Sequence, residues 1–333
     1  MTKKLLFAAT AALAISSCTT QEVDDVATTP REPIRFEQFV GKATRAGDVT
    51  TESLKSFRLL GKKYTSDGQS EDIDTWVVNN RGAWTTEPKV MYWEKDAKYC
   101  FAAFYTEVNE VVNYLKMFKF ESKSETDYGL YADIDLDMSA ISPHQDIVAA
   151  ICPDPIVGKA SGNDPISFNF KHILTKVLFT FTNGYEEECE VKIVEFDLRT
   201  IYKGEFALKS GEEQGTWNLK GNCQNDPINN IIFNQPGETK TITYFTLPQQ
   251  LQSEEYGLNV MLDLIVTVEN NEQPNSYRIY LSTDEVNQWE AGHVYNYKLT
   301  IKPKPEAVQF EVAVEDWGNA EDADLEDVEI SEN

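Results

Sequence analysis

The side chains that most often perform catalysis or bind metals are few and scattered in this sequence. Its three histidines, His144, His172 and His293, have no second ligand at the spacing of a zinc site. The sequence contains no G-x-S-x-G nucleophile motif, phosphate-binding loop or dinucleotide fingerprint. The glycine-containing run 158–162 lacks the spacing of a phosphate loop and is predicted to be a turn. We therefore predict that the protein is not an enzyme and uses no cofactor or catalytic metal.

Two further groups of residues have the chemistry to bind ligands. Asp133, Asp135 and Asp137 alternate along one predicted strand, and clustered carboxylates suit a calcium ion. The formal net charge of the chain is −25, so the same residues are also expected on an ordinary solvated strand face, which we favour. Aromatic platforms bind sugars, and the six tryptophans are Trp76, Trp84, Trp93, Trp217, Trp289 and Trp317. Most of them stand near predicted strand ends, where we expect them to close the edges of a hydrophobic core.

Cysteine spacing and net charge exclude further classes of function. Cys100, Cys152, Cys189 and Cys223 match no zinc-binding or redox spacing. In an exported protein these four cysteines are able to form two disulfides in three alternative pairings, or to stay as free core thiols, which we favour. A strongly acidic surface repels the phosphate backbone of nucleic acids, so we predict no nucleic-acid partner.

The N-terminus has the pattern of an export signal. Two lysines precede a short apolar run at 5–15, which is too short to cross a bilayer as a mature helix. Small residues then lead to Cys18, a pattern similar to the lipobox of bacterial lipoproteins, in which the cysteine thiol is acylated. We expect residues 1–17 to be a lipoprotein signal peptide and Cys18 to carry a lipid that anchors the precursor in the outer membrane. Residues 18–33 are predicted to form a polar tether.

The elements that must position all of these residues are predicted to be β-strands. Apolar side chains repeat with a period of two in four clear stretches, at 34–40, 166–170, 295–301 and 308–314. Helical periodicity is weak, and only 282–292 is predicted to hold a short helix, ended by a glycine. The pattern predicts an all-β fold of two tandem antiparallel β-sandwich domains, at 34–183 and 184–316. Residues 317–333 are predicted to be an acidic tail.

Five motifs spread over nearly the whole chain resemble a known family in their order and spacing. They are the lipobox at Cys18, Gly41-Lys42-Ala43-Thr44-Arg45-Ala46, Tyr92-Trp93 with the strand at 101–105, Phe170-Lys171-His172 with the strand after it, and Leu247-Pro248-Gln249 with 289–297. Together they make the chain similar to the fimbrillins, the lipoprotein-derived type V pilins of Gram-negative anaerobes. The resemblance implies transthyretin-like sandwiches and a structural role in a pilus.

The resemblance also implies that the protein is made as a surface precursor and then processed. Fimbrillins are exported as lipoproteins to the outer membrane, where an arginine-specific protease cuts them before they join the fimbrium. The match predicts a cut between Arg45 and Ala46, and Arg31 and Lys42 are further basic residues nearby. Some family members keep their anchor and act at the base of the pilus, in which case Arg45 stays uncut.

Such a cut would release a first strand, expected at 34–40, whose apolar face consists of Ile34, Phe36 and Val40. Burial stabilises such side chains by roughly 1.5–3 kcal/mol each, so removing the strand leaves an apolar groove with unpaired backbone groups. The resemblance implies that a strand from another pilin subunit, of the same or a different type, fills this groove. The best alternation for a donor strand is found at Val308, Phe310, Val312 and Val314. The same stretch equally suits the last strand of its own sandwich.

The sequence thus leaves functions of different classes. The first is a pilus subunit that polymerises by donor-strand exchange and supports adhesion to a host or bacterial surface ligand. The alternative is a monomeric glycan-binding surface lipoprotein that uses exposed tryptophans. A secreted hydrolase is the least supported, because no catalytic motif is present.

Overall fold

The fold is described from a computed structural model for residues 32–40, 49–106, 117–136, 145–228, 230–253, 258–269, 273–303 and 308–317. The strands are β1 (Phe36–Val40), β2 (Ser56–Tyr64), β3 (Ser70–Asn80), β4 (Ala83–Glu87), β5 (Lys98–Thr106), β6 (Phe118–Ser124), β7 (Asp127–Asp135), β8 (Ile147–Ile151), β9 (Ile156–Val157), β10 (Ile166–His172), β11 (Thr175–Asn183), β12 (Val191–Lys209), β13 (Thr216–Ile228), β14 (Ile231–Phe233), β15 (Thr239–Thr246), β16 (Gln249–Gln250), β17 (Gln252–Ser253), β18 (Leu258–Asn259), β19 (Met261–Val268), β20 (Asn275–Tyr280), β21 (Gln288–Trp289), β22 (His293–Ile301) and β23 (Gln309–Asp316). These residues contain no α-helix, so the prediction of an all-β fold is confirmed, and none of them belongs to a helix able to span a membrane.

Seven strands close into a barrel-like sheet in the N-terminal half. Its order is β2-β3-β4-β1-β10-β8-β5, and β5 pairs back with β2, while β9 extends from β5. In β10 buried and exposed side chains alternate strictly, as the sequence pattern predicts. The β3–β4 hairpin turns at Arg81 and Gly82, whose φ angles of 56° and 92° are left-handed, a conformation that glycine adopts without strain. The barrel core includes Ile34, Phe36, Phe57, Phe101, Phe168 and Phe170.

Two further sheets pack face to face and form a sandwich. One has the order β15-β11-β22-β23, and the other has the order β20-β19-β12-β7-β6, with β13 and β14 also pairing with β12. β12 is 19 residues long, which lets it pair with β14 and β19 near its start and with β7 and β13 further on. The sandwich core between these sheets includes Phe179, Phe196, Tyr244, Leu262 and Tyr297.

A third cluster, here called the junction core, joins the barrel to the sandwich. β5 belongs to both, because Phe101 and Ala103 point into the barrel core while Ala102 and Phe104 point into the junction core. A continuous apolar run is typical of a strand covered on both faces. The junction core also receives side chains from β6, β7, β11, β12, β15 and β22. The two halves of the described chain therefore share buried surface.

Two expectations about local structure are wrong. The helix predicted at 282–292 does not form, because this segment is irregular apart from β21. Trp289 of β21 is buried and donates a hydrogen bond from Nε1 to Tyr297 Oη at 3.0 Å, and this packing outweighs a weak helical propensity. The sheets are also not antiparallel throughout, since β1 pairs with β10, and β11 with β22, in parallel. Each of these pairs is far apart in sequence, so no tight hairpin constrains the strand direction.

The expected domain boundary, between residues 183 and 184, falls at the end of β11. β11 is a strand of the sandwich, and β6 and β7, which precede it in sequence, belong to a sandwich sheet through the pairing of β7 with β12. The division into two tandem domains at this position stays a prediction.

Candidate functional site: the first strand and its groove

β1 is inserted into the barrel and is not attached to its rim. It pairs in parallel with β10 from Phe36, opposite Ile166, to Val40, opposite Phe170. On its other side it meets β4 at one antiparallel pair, Phe36 opposite Trp84. β1 is therefore held by a full ladder along one edge and by very little pairing along the other.

The apolar side chains of β1, together with Ile34 two residues before it, fill the barrel core. Ile34, Phe36 and Val40, the residues predicted for this face, are 0%, 3% and 2% exposed. The ring of Phe36 stacks on Phe168 with centroids 6.2 Å apart and meets Phe57 edge-on at 6.3 Å. Burying three such side chains contributes roughly 5–9 kcal/mol to folding. Removal of β1 would open an apolar groove along β10.

Backbone hydrogen bonds hold both ends of β1. At the entry, Ile34 N donates to Met91 O at 2.8 Å. At the exit, Val40 N donates to Thr51 Oγ1 at 2.9 Å, and the same hydroxyl donates to Val40 O at 2.7 Å. The Thr51 side chain thus satisfies both backbone groups of the last residue of β1, as a neighbouring strand would do.

One inward position of β1 is polar and incompletely satisfied. Gln38 is half-buried, and its Nε2 donates to Thr51 O at 3.1 Å. Its Oε1 is buried and has no hydrogen-bond partner among the described residues. A buried acceptor without a partner costs about 1–3 kcal/mol. β1 therefore packs closely in the groove but is not an ideal occupant of it.

The body that follows β1 has its own buried anchor. Val49 is fully buried in the barrel core, and its backbone N donates to Asp146 Oδ2 at 3.1 Å. Asp146 is 0% exposed and also accepts a hydrogen bond from His172 Nδ1 at 2.8 Å. A cut between Val40 and Val49 would therefore separate β1 while leaving this anchor in place.

The candidate donor residues belong to β23, an edge strand of the four-stranded sheet. β23 pairs antiparallel with β22 along its whole length. Val308 and Val312 are half-buried against the sandwich core, and Val314 is 44% exposed. Phe310 lies within β23, but its side chain is outside the described part. In this chain the candidate donor is thus the last strand of its own sandwich, and its side chains are only weakly buried.

The predicted modification sites lie outside the described residues. This holds for the lipidation site Cys18 and for the cleavage pair Arg45 and Ala46, and also for Asp137 and His144. Lipidation and cleavage therefore stay predictions.

The two described histidines have structural contacts. His172 is 5% exposed and bonds to buried Asp146. His293 donates from Nδ1 to Ala291 O at 3.1 Å, and its Nε2 lies 3.1 Å from Asp316 Oδ1. Within the described part of the chain, no group of three or more His, Cys, Asp or Glu side chains could hold a metal ion.

The aspartates of β7 lie on a solvated face. Asp133 is exposed, and Asp135 forms an ion pair with Lys203 Nζ at 2.7 Å. Exposed pairs of this kind contribute little to stability. These two residues therefore have the ordinary surface role that the acidic composition favours.

The tryptophans are mainly structural. Trp84, Trp93, Trp289 and Trp317 are buried, and Trp76 and Trp217 are half-buried. The guanidinium carbon of Arg58 lies 5.3 Å from the ring centre of Trp76, and Trp217 Nε1 donates to Ile173 O at 3.0 Å. None of the six is an exposed platform of the kind that stacks on sugar rings.

The described cysteines are free. Cys100 and Cys152 are buried, and Cys189 is half-buried. Burial raises the pKa of Cys100 and of Cys152 to about 12, and it also raises the pKa of Cys189. The two buried thiols therefore stay protonated near neutral pH and pack as small apolar groups. The side chain of Cys223 is outside the described part.

Sequence reasoning missed two polar residues that hold this region together. Thr51 bonds to Val40 across 11 positions, and Asp146 bonds to Val49 across 97 positions. Neither residue stands in a recognisable motif, because threonine and aspartate are ordinary loop residues. Only the three-dimensional pairing identifies them.

Comparison with known proteins places the fold. A family model described as fimbrillin-like matches residues 44–317. A fimbrial protein from Bacteroides vulgatus superimposes with a TM-score of 0.56 at 12% identity, covering 85% of this chain and 99% of that chain. A candidate cell adhesion protein from Bacteroides ovatus gives a TM-score of 0.51 at 17% identity, covering 88% and 99%. No curated protein matches significantly. On the family match over most of its length, the chain belongs to the fimbrillin-like family.

Proposed function

We propose that this protein is a structural subunit of a cell-surface pilus and that it assembles when a strand from a neighbouring subunit replaces β1. The proposal rests on how β1 is held in the barrel. Ile34, Phe36 and Val40 are buried there, yet β1 pairs along its whole length only with β10 and meets β4 at a single residue pair. A strand bound in this way leaves an apolar groove and an open β10 edge when it departs. Both features invite addition of a new strand.

The precursor would reach this state in two steps. It is exported as a lipoprotein held in the outer membrane through Cys18, and an arginine-specific protease then cuts between Arg45 and Ala46. The buried anchor at Val49 supports this order, because the body keeps its attachment to Asp146 after the cut. The mature protein then belongs to the fimbrium and supports adhesion.

The register of the donor strand follows from matching the two apolar patterns. Ile34, two residues before β1, faces inward together with Phe36, Gln38 and Val40 of β1. The C-terminal stretch offers Val308, Phe310, Val312 and Val314 at the same spacing. In this register Phe310 takes the place of Phe36. Val312 then replaces Gln38 and removes the buried oxygen that has no hydrogen-bond partner among the described residues. The donor strand thus suits the groove better than β1 does.

The test uses the lipid-free chain that begins at residue 19. Digestion with an arginine-specific protease should yield a new N-terminus at Ala46, followed by polymers in size-exclusion chromatography and electron microscopy. The matched control is Arg45→Gln, which should keep β1 and stay monomeric under the same digestion. A Phe310→Asp variant should be cut normally and fail to polymerise, because a carboxylate cannot enter the apolar groove.

A second arm tests the groove directly. A synthetic peptide covering 307–317 should bind the digested protein, and the same peptide with Phe310→Asp should not. Protein that is cut at Arg45, stays monomeric and binds neither peptide would contradict the proposed function.

A further inference from the structure

Few of the described side chains attach β23 to its own subunit. Glu311, Ala313, Val314, Glu315 and Asp316 are exposed, and Val308 and Val312 are half-buried. Among the described side chains of 308–317, Trp317 alone is buried, with 7% exposure. Its backbone N donates to Gly292 O at 2.8 Å. Beyond the ladder to β22, the described side chains therefore hold β23 mainly at its C-terminal end.

The ring of Trp317 packs in a site formed by His172, Phe245 and Lys176 of other strands, here called the seat. It stacks on His172 of β10, with centroids 4.0 Å apart and planes at 7°, and on Phe245 of β15 at 5.4 Å and 13°. Nζ of Lys176, a fully buried residue of β11, lies 5.8 Å from the ring centre. The barrel and the sandwich thus both contribute to the seat.

The seat has features of a contact that can be released. Trp317 Nε1 and His172 Nε2 are buried without a hydrogen-bond partner among the described residues, so the stacking is not reinforced by hydrogen bonds at those atoms. A cavity of about 310 Å³ opens beside them and is also lined by His293 and Asp316. Such a cavity gives the end of β23 room to move.

The same seat is linked to β1 through β10. His172 lies two positions after Phe170, the residue of β10 that pairs with Val40 of β1. The orientation of the His172 ring is fixed by its bond to Asp146, and Asp146 also accepts the backbone N of Val49, the first described residue after β1. Loss of β1 removes the parallel neighbour of β10 over Ile166–Phe170 and frees the chain that leads to Val49.

We propose that Trp317 is a latch that keeps β23 on its own subunit, and that departure of β1 weakens this latch through β10 and the Asp146–His172 pair. The inference rests on the proposed function, since it explains how the donor strand becomes available only after processing. It concerns events within one molecule, so it can be tested without polymerisation.

The test is hydrogen exchange of backbone amides in the uncut, lipid-free chain. Trp317→Ala should accelerate exchange at 309–316 by about tenfold or more, while Val314→Ala, an exposed change on the same strand, should not. Trp317→Phe, which retains an aromatic ring for stacking, should restore most of the protection. Amides of β19 (Met261–Val268), in the sheet opposite β23, report the loss of global stability and should be accelerated less than those at 309–316.

The coupling between β1 and β23 is tested by changing β1 and measuring exchange in β23. Phe36→Ala loosens β1 and should accelerate exchange at 309–316 more than at β19, whereas Glu37→Ala on the exposed side of β1 should accelerate neither. Because coupling is reciprocal, Trp317→Ala should accelerate exchange at 36–40 by a similar factor. Acceleration at 309–316 no greater than at β19 in Phe36→Ala, or equal effects of Trp317→Ala and Val314→Ala at 309–316, would overturn the latch. A digested protein that does not polymerise would contradict the proposed function alone.

Discussion

Replacing Phe36 by alanine should measure how much the barrel depends on β1. The side chain is 3% exposed and contacts three other aromatic rings of the barrel core. Truncation of a buried phenylalanine costs about 3–5 kcal/mol, through lost transfer free energy and the cavity that remains. We expect Phe36→Ala to lower the free energy of unfolding of the uncut chain by about 4 kcal/mol. That is a large part of the stability of an ordinary domain.

The assay is urea unfolding of the lipid-free chain, followed by tryptophan fluorescence. Glu37→Ala is the matched control, because Glu37 lies on the same strand and is exposed, and its change should stay within about 0.5 kcal/mol of wild type. After digestion at Arg45, the Phe36→Ala protein should also release its N-terminal fragment faster. A loss below about 1 kcal/mol would mean that β1 does not fill the barrel core, and the argument for strand replacement would fail.

Three further outcomes follow from other contacts. Asp146→Ala removes the acceptor for two buried donors and should lower the free energy of unfolding by about 2–4 kcal/mol in urea titrations, and a loss below about 1 kcal/mol would refute the role of the anchor. Val314→Thr should leave the uncut chain within about 0.5 kcal/mol of wild type yet weaken binding of the matching 307–317 peptide in calorimetry. The pKa of Cys100 and of Cys152 is raised to about 12, so both should resist alkylation at pH 8 until urea unfolds the chain, as peptide mass mapping would show. Because the folded thiols keep protons that unfolded thiols lose above pH 9, stability should fall as pH rises beyond 9.

Much of the fold could be predicted because apolar and polar residues alternate locally along many of its strands. The strict period of two in 166–170 anticipated β10, and the inward residues Ile34, Phe36 and Val40 of β1 were identified from the same signal. The turn at Arg81 and Gly82 has a local origin of the same kind, since an Asn-Asn-Arg-Gly sequence favours positive φ angles. Each of these features depends only on neighbouring residues.

What could not be predicted depends on contacts between distant residues. The parallel pairing of β1 with β10 joins segments more than a hundred positions apart, and nothing in either segment specifies the direction of its partner. The helix predicted at 282–292 does not form for a related reason. Trp289 packs in the sandwich core and donates a hydrogen bond to Tyr297. The roles of Thr51 and Asp146 depend likewise on partners that only the folded chain brings together.

The two candidate occupants of the groove differ in how they are attached as well as in how they fit. While the chain is intact, β1 is tethered to the barrel, and a tether of this length gives an effective concentration in the millimolar range that no free strand can match. Under these conditions the buried Oε1 of Gln38, which has no hydrogen-bond partner among the described residues, is tolerated. Under the proposed function, the cut would remove the tether and make β1 a dissociable peptide, and the groove would then favour the strand that places Val312 where Gln38 stood. The peptide bond between Arg45 and Ala46 would thus decide which strand the barrel holds.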